Sequence, residues 1–158
     1  MAVAILKGKV PHNARHDLES FFYVLLWLCM YHSGPGNLRR PESDIDNMYS
    51  FFAILQRQEN MFDAAGQKKG LVTKDTFKSE VIPSLDPTMV LWLGDVLNQW
   101  RDILFPLDIE TEAICFGIPT GKTESMLYKE MIDVMDGAII KVQEAEAGLQ
   151  TNTGSSAP

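Results

Sequence analysis

An unbroken apolar run at residues 21–31, FFYVLLWLCMY, constrains the fold of this chain more than any other feature. A membrane-spanning helix needs about 20 apolar residues and this run is shorter. It also lacks the flanking basic residues of a membrane anchor. A helix that is apolar on every side is stable where other elements surround it. We therefore predict a buried helix from Asp17, the expected N-cap, to about Tyr31.

Length and charge limit the class of protein. The chain has 158 residues, which fits one domain, and 46 % of them are hydrophobic, which is enough for a packed core. A net charge of −7 disfavours nucleic acid as a partner. Two cysteines cannot build a disulfide framework or a four-cysteine zinc site. With no signal-peptide pattern, we expect an intracellular protein of the cytoplasm or nucleus, without membrane or nucleic-acid partners.

Two helices are predicted in the first half besides the apolar run. Residues 45–65 carry an apolar stripe at spacings of three and four, and the glycines of residues 66–70 are expected to end that helix. A short helix should begin at its cap, Thr73, and close at Pro83.

The second half predicts two longer helices. Asp86 and Pro87 mark the start of the first, because proline suits the first helical position, and Pro106 marks its end. The last helix should span 124–146. Residues 147–158 are rich in Gly, Ser and Thr and are expected to form a disordered tail. Strand signals are weak, so we predict an all-α (mainly α) fold with one domain at residues 1–146.

A phosphate-binding loop is the most tempting chemical motif. Gly121, Lys122 and Thr123 fit the end of the pattern G-x-x-x-x-G-K-[ST] and precede a predicted helix. Phe116 occupies the position of the first glycine, and Pro119 removes one N–H from the cradle. We interpret this stretch as an ordinary loop that ends at a helix cap.

The histidines and cysteines give weaker signals. His12 and His16 lie four apart, but the glutamate of a metalloprotease H-E-x-x-H motif is missing between them. Cys29 lies in the apolar helix and should be inert, and Cys115 has no neighbouring base. We predict no catalytic, cofactor-binding or metal-binding residue in this chain.

One long segment carries a family resemblance. Residues 14–27, ARHDLESFFYVLLW, closely resemble a signature of the fungal-type protein kinase domain family. Residues 101–106 (RDILFP), 117–119 and 128–132 are similar to later segments of that family, and the resemblance extends over about residues 1–145. The residues that carry the motifs are Arg15, His16, Asp17, Glu19, Trp27, Arg101 and Asp102.

The resemblance implies a partial protein kinase-like domain. The apolar helix would be the central helix of the large helical lobe, and Asp17 would match the residue that bonds the catalytic loop. Residues 1–6 look like the segment that ends the activation segment, with Ala4 where the family has a glutamate. The usual ion pair of that glutamate cannot form here.

The resemblance also indicates which kinase motifs this sequence lacks. Kinases use a glycine-rich loop, a strand lysine and the aspartates of H-R-D and D-F-G, and neither tripeptide occurs in this chain. ATP and magnesium belong to the full-length family, and we expect no cofactor in this chain. Three interpretations stay open: a truncated, inactive kinase fragment, a pseudokinase-like protein-interaction module, or a piece that needs a separate chain to become active.

The truncation predicts an uncovered surface. The central helix would lack the elements that normally cover it, and each exposed large apolar side chain forfeits about 1.5–3 kcal/mol of burial free energy. We therefore expect an exposed apolar patch, with self-association or a protein partner at this helix.

Overall fold

The structure, a computed structural model, describes residues 12–34, 39–41, 61–107, 113–116, 118–119 and 121–153. The predictions for residues 1–6, for the helix over 45–60 and for residues 154–158 lie outside these ranges. Within them the chain is helical and contains two isolated β-bridges, His32 to Arg39 and Leu107 to Ile114, but no strand. The predicted mainly α fold is confirmed.

Six α-helices and one π-helical turn make up the described part of the chain. The turn, Phe77–Val81, lies between two short helices. The α-helices are α1 (Ala14–Tyr31), α2 (Met61–Leu71), α3 (Lys74–Thr76), α4 (Ile82–Ser84), α5 (Pro87–Leu104) and α6 (Glu124–Thr153).

The start of α1 corrects the predicted cap. Asn13, not Asp17, is the N-cap, and Asp17 lies in the first turn. The Asn13 side chain accepts a hydrogen bond from the His16 N–H at 3.2 Å, and His16 Nδ1 accepts one from the Asn13 N–H at 3.1 Å. In this capping box, the side chain of each residue accepts a hydrogen bond from the main-chain N–H of the other. The helix therefore begins earlier than the prediction with Asp17 as the cap.

Helix α2 corrects the predicted glycine break. Gly66 and Gly70 both lie inside the helix, although each costs about 1 kcal/mol relative to alanine. Ala65 and Lys68 on the same helix are buried. We infer that packing against the rest of the domain offsets the weak helix propensity of this segment.

The predicted caps further along the chain are confirmed. The Thr73 hydroxyl accepts from the Thr76 N–H at 3.4 Å, and the Asp86 carboxylate accepts from the Thr88 N–H at 2.9 Å. Pro87 is the first residue of α5, and that helix ends at Leu104.

Two helix ends differ from the predictions. Pro83 lies inside α4, which continues to Ser84. Helix α6 continues beyond residue 146 to Thr153 and so includes part of the predicted tail.

The core lies where α1, α5 and α6 pack together. Phe22 and Leu97 are fully buried, and the ring of Phe22 meets that of Phe105 edge-on at 5.6 Å. Trp100 of α5 donates its indole N–H to the carbonyl of Met131 on α6 at 3.0 Å. Helices α5 and α6 are thereby fixed against each other by both apolar packing and a buried hydrogen bond.

No helix in the described ranges is both long enough and apolar enough to cross a membrane.

Candidate functional site

A buried ion pair within α1 is the centre of the candidate site. Arg15 and Glu19 lie one turn apart, and their side chains are 1 % and 0 % exposed. Arg15 Nη1 donates to Glu19 Oε2 at 3.3 Å. Isolated charges are costly to bury, so this pair is stable only because each charge has the other and further polar contacts.

Lysine and tyrosine side chains extend this cluster. The Lys68 ammonium lies 4.5 Å from the centre of the Tyr23 ring, and the Tyr23 hydroxyl donates to the Lys68 carbonyl at 3.4 Å. Lys68 also interacts electrostatically with Glu19. Helix α2 is therefore joined to α1 by a cation that faces both an aromatic ring and a carboxylate.

The pKa values in the cluster follow from burial. Burial lowers the pKa of Arg15 and of Lys68, and the charge of Glu19 partly opposes both shifts. Burial, followed by the nearby Glu19 charge, raises the pKa of Tyr23 well above its usual value. Tyr23 therefore stays neutral as a hydrogen-bond donor, and is not poised to act as a base.

The structure brings two of the motif segments together. Arg15 of the first segment donates through Nη2 to the carbonyl of Leu104, which lies in the second, at 2.6 Å. Arg101 of the second segment is buried and donates through Nε to the Val72 carbonyl at 2.8 Å, and it also pairs with Asp102. The two arginines thus bind main-chain carbonyls inside the domain, where substrate has no access.

Of the remaining motif residues on α1, Asp17 and Trp27 are exposed and His16 is buried. Asp17 is about half exposed and its carboxylate lies 3.2 Å from His12 Nε2. His16 is buried by its capping role. Trp27 is 37 % exposed, with its ring centre 4.7 Å from that of Tyr31. These three residues do not join the buried cluster.

The described residues of the segment that resembles a phosphate-binding loop make contacts with neighbouring parts of the fold. The Lys122 ammonium is held by both carboxylate oxygens of Glu130, at 2.8 and 2.6 Å. The ring of Phe116, where the motif needs glycine, packs 5.7 Å from that of Phe105. Thr123 caps α6 by accepting from the Met126 N–H at 3.3 Å. The described lysine and threonine of this segment are therefore engaged in contacts within the fold.

The histidines and cysteines have structural surroundings. His12 and His16 have ring centres 5.7 Å apart, and His16 Nδ1 is occupied by the Asn13 N–H. Burial raises the pKa of the Cys29 thiol to about 12, which agrees with the predicted inert cysteine. Across the ranges that the structure describes, no group of three or more His, Cys, Asp or Glu side chains is arranged to hold a metal ion.

The outer side of α1 is apolar and exposed. We call the four side chains that form it the α1 apolar face: Phe21 (61 % exposed), Val24 (54 %), Trp27 (37 %) and Leu28 (37 %). A cavity of about 390 Å³ lies at one end of this face, lined by Asp17, Ser20, Phe21, Val24 and Tyr128. Phe22 and Leu26 on the opposite side are fully buried, so in the part of the chain that the structure describes, α1 packs through that side.

A second, larger groove lies between α5 and α6. It encloses about 600 Å³, with Leu91 and Trp92 on one wall and Val142 and Ala145 on the other. Lys141 at its rim lies 3.8 Å from Asp95, and both side chains are largely exposed. The lining of the groove is mainly apolar and also includes Asp95, Asp133 and Lys141.

Comparison with known proteins gives one partial match. A family model described as fungal protein kinase matches residues 1–29, which is less than a fifth of the chain. The match ends at Cys29 inside α1, so the similar segments at 101–106, 117–119 and 128–132 lie beyond it. No curated protein and no solved structure matches the chain.

Sequence reasoning missed Lys68 and Tyr23 as members of the buried cluster. Tyr23 lies within the apolar run at residues 21–31, where nothing in the sequence marks it as a polar contact. Lys68 lies in a polar, glycine-flanked stretch, GQKKG, where a solvated lysine is the usual expectation. The two residues are 45 positions apart, so only the tertiary fold brings them into contact.

Proposed function

We propose that this chain is a helical portion of a fungal protein kinase-like domain and that it does not transfer phosphate by itself. The observation that carries the proposal is the contact between Arg15 and the Leu104 carbonyl. It joins the segment that the family model matches to the second segment that resembles the family. Two segments that are far apart in the sequence, and that both resemble the same family, are thus in contact inside the fold.

The residues present support the second part of the proposal, that the chain does not transfer phosphate by itself. Phosphoryl transfer relies on positioned cations and carboxylates around the phosphates and the metal ions. The sequence contains neither H-R-D nor D-F-G, and the Lys122 ammonium is bound to Glu130. The buried side chains of Arg15, Glu19 and Lys68 interact with one another, and Arg15 and Arg101 bind main-chain carbonyls.

An assay on the purified chain tests this proposal. Titration with ATP and magnesium in a calorimeter should give no binding heat, and radiolabelled ATP should give no phosphate transfer to a mixed serine/threonine peptide substrate. An active protein kinase run in parallel is the positive control. Phosphate transfer that persists through purification and is lost in a Lys122→Ala variant would contradict the proposal.

The transcript upstream of Met1 tests the family assignment. An in-frame extension that encodes H-R-D and D-F-G would make the chain the later part of a kinase. Mixing that extension with this chain and assaying phosphorylation would then test the interpretation in which the two halves act together. An upstream sequence with none of the kinase motifs would count against the family assignment.

A protein-interaction module is the second candidate function, and the α1 apolar face favours it. Phe21 and Val24 are each more than half exposed and adjoin a cavity, and contiguous apolar surface of this kind commonly marks a binding site. Affinity purification with the full chain and with a Phe21→Ser variant tests this function. A stoichiometric partner lost in the variant supports the module, and equal recovery with both forms contradicts it.

A further inference from the structure

The C-terminal end of α1 has main-chain carbonyls that its own helix cannot bond. The C-cap residue, His32, donates its N–H to the Leu28 carbonyl. The next three carbonyls, those of Cys29, Met30 and Tyr31, have no amide of the helix left to bond. Carbonyls at a helix end also carry the negative end of the helix dipole, which a nearby cation stabilises. The last turn of α1 has no basic residue, so donors and a cation must come from outside the helix.

Donors from two later parts of the chain bind all three carbonyls. The Asp86 N–H donates to the Cys29 carbonyl at 3.3 Å, and the Arg40 N–H donates to the Tyr31 carbonyl at 2.8 Å. The Arg40 side chain donates through Nη1 to the Met30 carbonyl at 3.3 Å. Arg40 thus supplies two of these donors and also the cation that the last turn of α1 lacks.

The same guanidinium group binds the end of a second helical stretch. Residues 74–84 are helical throughout, since α3, the π-helical turn and α4 follow one another without a gap. Arg40 Nη1 donates to the carbonyl of Ser84, the last residue of α4, at 3.1 Å. The last turn of α4 also has no basic residue. One nitrogen of Arg40, which carries two hydrogens, therefore bridges the carbonyl ends of α1 and α4.

We propose that the carbonyl ends of α1 and α4 together form a guanidinium-binding site and that Arg40 is a latch that occupies it. A guanidinium group suits this site because its rigid fork of N–H groups donates to several carbonyls at once, whereas an ammonium group is a compact and more strongly hydrated point charge. Arg39 and Pro41, on either side of Arg40, are exposed. The latch is therefore a half-buried side chain on a segment whose adjacent residues face solvent.

Chemical rescue tests the site. Arg40→Ala should lower the urea midpoint of unfolding, because the Met30 and Ser84 carbonyls lose a charged donor. Methylguanidinium, at concentrations far below those that denature proteins, should fill the vacated site and recover at least about half of that loss, since a ligand that binds only the folded state stabilises it by mass action. Methylammonium at the same ionic strength should recover much less.

Arg39→Ala is the matched control. Arg39 adjoins Arg40 and carries the same side chain, but it is exposed. This variant should keep the urea midpoint of the unmodified protein, and methylguanidinium should stabilise neither of these two proteins, because Arg40 fills the site in both. Equal midpoints for the two alanine variants, rescue of both variants, or equal rescue by the two cations would overturn the proposal.

Nuclear magnetic resonance of the arginine side chains tests the latch in the unmodified protein, without a substitution that could prevent folding. The Nη hydrogens of Arg40 should exchange with water more slowly than those of Arg39, because bonds to two carbonyls restrain the Arg40 guanidinium. The variants Arg40→Lys and Arg39→Lys assign the two signals. Equal exchange rates for the two side chains would overturn the latch, whatever the outcome of the rescue experiment.

Discussion

Arg15 at the start of α1 donates a hydrogen bond from Nη2 to the main-chain carbonyl of Leu104 at the end of α5, over 2.6 Å. The same guanidinium pairs with Glu19 at 3.3 Å and lies 5.9 Å from the centre of the Phe105 ring. One side chain therefore fixes the start of the central helix against the end of another. Every group it uses is buried, so its value to the protein is structural.

Glu19→Gln should destabilise the protein by about 3–5 kcal/mol, because removing one partner of a buried ion pair leaves the other charge uncompensated. Here two cations, Arg15 and Lys68, would lose the carboxylate. Urea unfolding followed by circular dichroism measures the change in the free energy of unfolding. The exposed pair Lys129–Asp133 is the control, and Asp133→Asn should cost less than about 1 kcal/mol. Similar losses in the two variants would contradict the structural role of Glu19.

Asn13→Ala should cost about 1 kcal/mol in the free energy of unfolding, because it removes the N-cap of α1. Asp17→Ala should cost less, since Asp17 contributes the favourable charge of a first-turn residue and an exposed contact with His12. The two variants compared in the same urea titration decide which residue caps the helix. A larger loss for Asp17→Ala would restore the cap predicted from the sequence.

Stability should fall as the pH is lowered through the usual pKa of histidine, about 6.5. Burial, followed by the charge of Arg15, lowers the pKa of His16 in the folded state, so the unfolded chain binds a proton more readily. The contribution of neutral His16 is therefore complete above the unfolded pKa and is lost as the pH falls toward the folded value. Protonation of Nδ1 also removes the acceptor for the Asn13 N–H.

The matched variant for this pH dependence is His16→Gln. Glutamine at this position can accept the same N–H but does not titrate. The free energy of unfolding should therefore decline less steeply with falling pH in the variant than in the unmodified protein. Identical pH profiles for the two proteins would show that His16 does not contribute.

Alkylation should distinguish the two cysteines. The Cys29 thiol is fully buried and its pKa is raised to about 12, so iodoacetamide at mildly alkaline pH should leave it unmodified. Cys115 is half-buried and should react first. Mass spectrometry with and without urea counts the labelled thiols. Rapid labelling of Cys29 in the folded protein would show that α1 opens readily.

The sequence by itself determined most of the helical fold. The apolar run, the caps at Thr73 and Asp86 and the proline at position 87 are local signals, and a local signal acts through residues within one helical turn. The same locality explains the errors. Asp17 carries a good capping group, but the reciprocal bonds between Asn13 and His16 start the helix earlier. Gly66 and Gly70 are weak helix formers, yet both lie inside α2, whose Ala65 and Lys68 are buried.

The tertiary structure alone decided which side of α1 is covered and which charges are buried. The apolar run has no polar face, so its pattern gives no direction, and the positions of α5 and α6 select Phe22 and Leu26 for the core and leave Phe21 and Val24 exposed. Likewise, nothing in the local sequence shows that the charges of Lys68 and Arg15 are buried. Burial of a charge depends on groups far apart in the chain, and no local pattern contains that information.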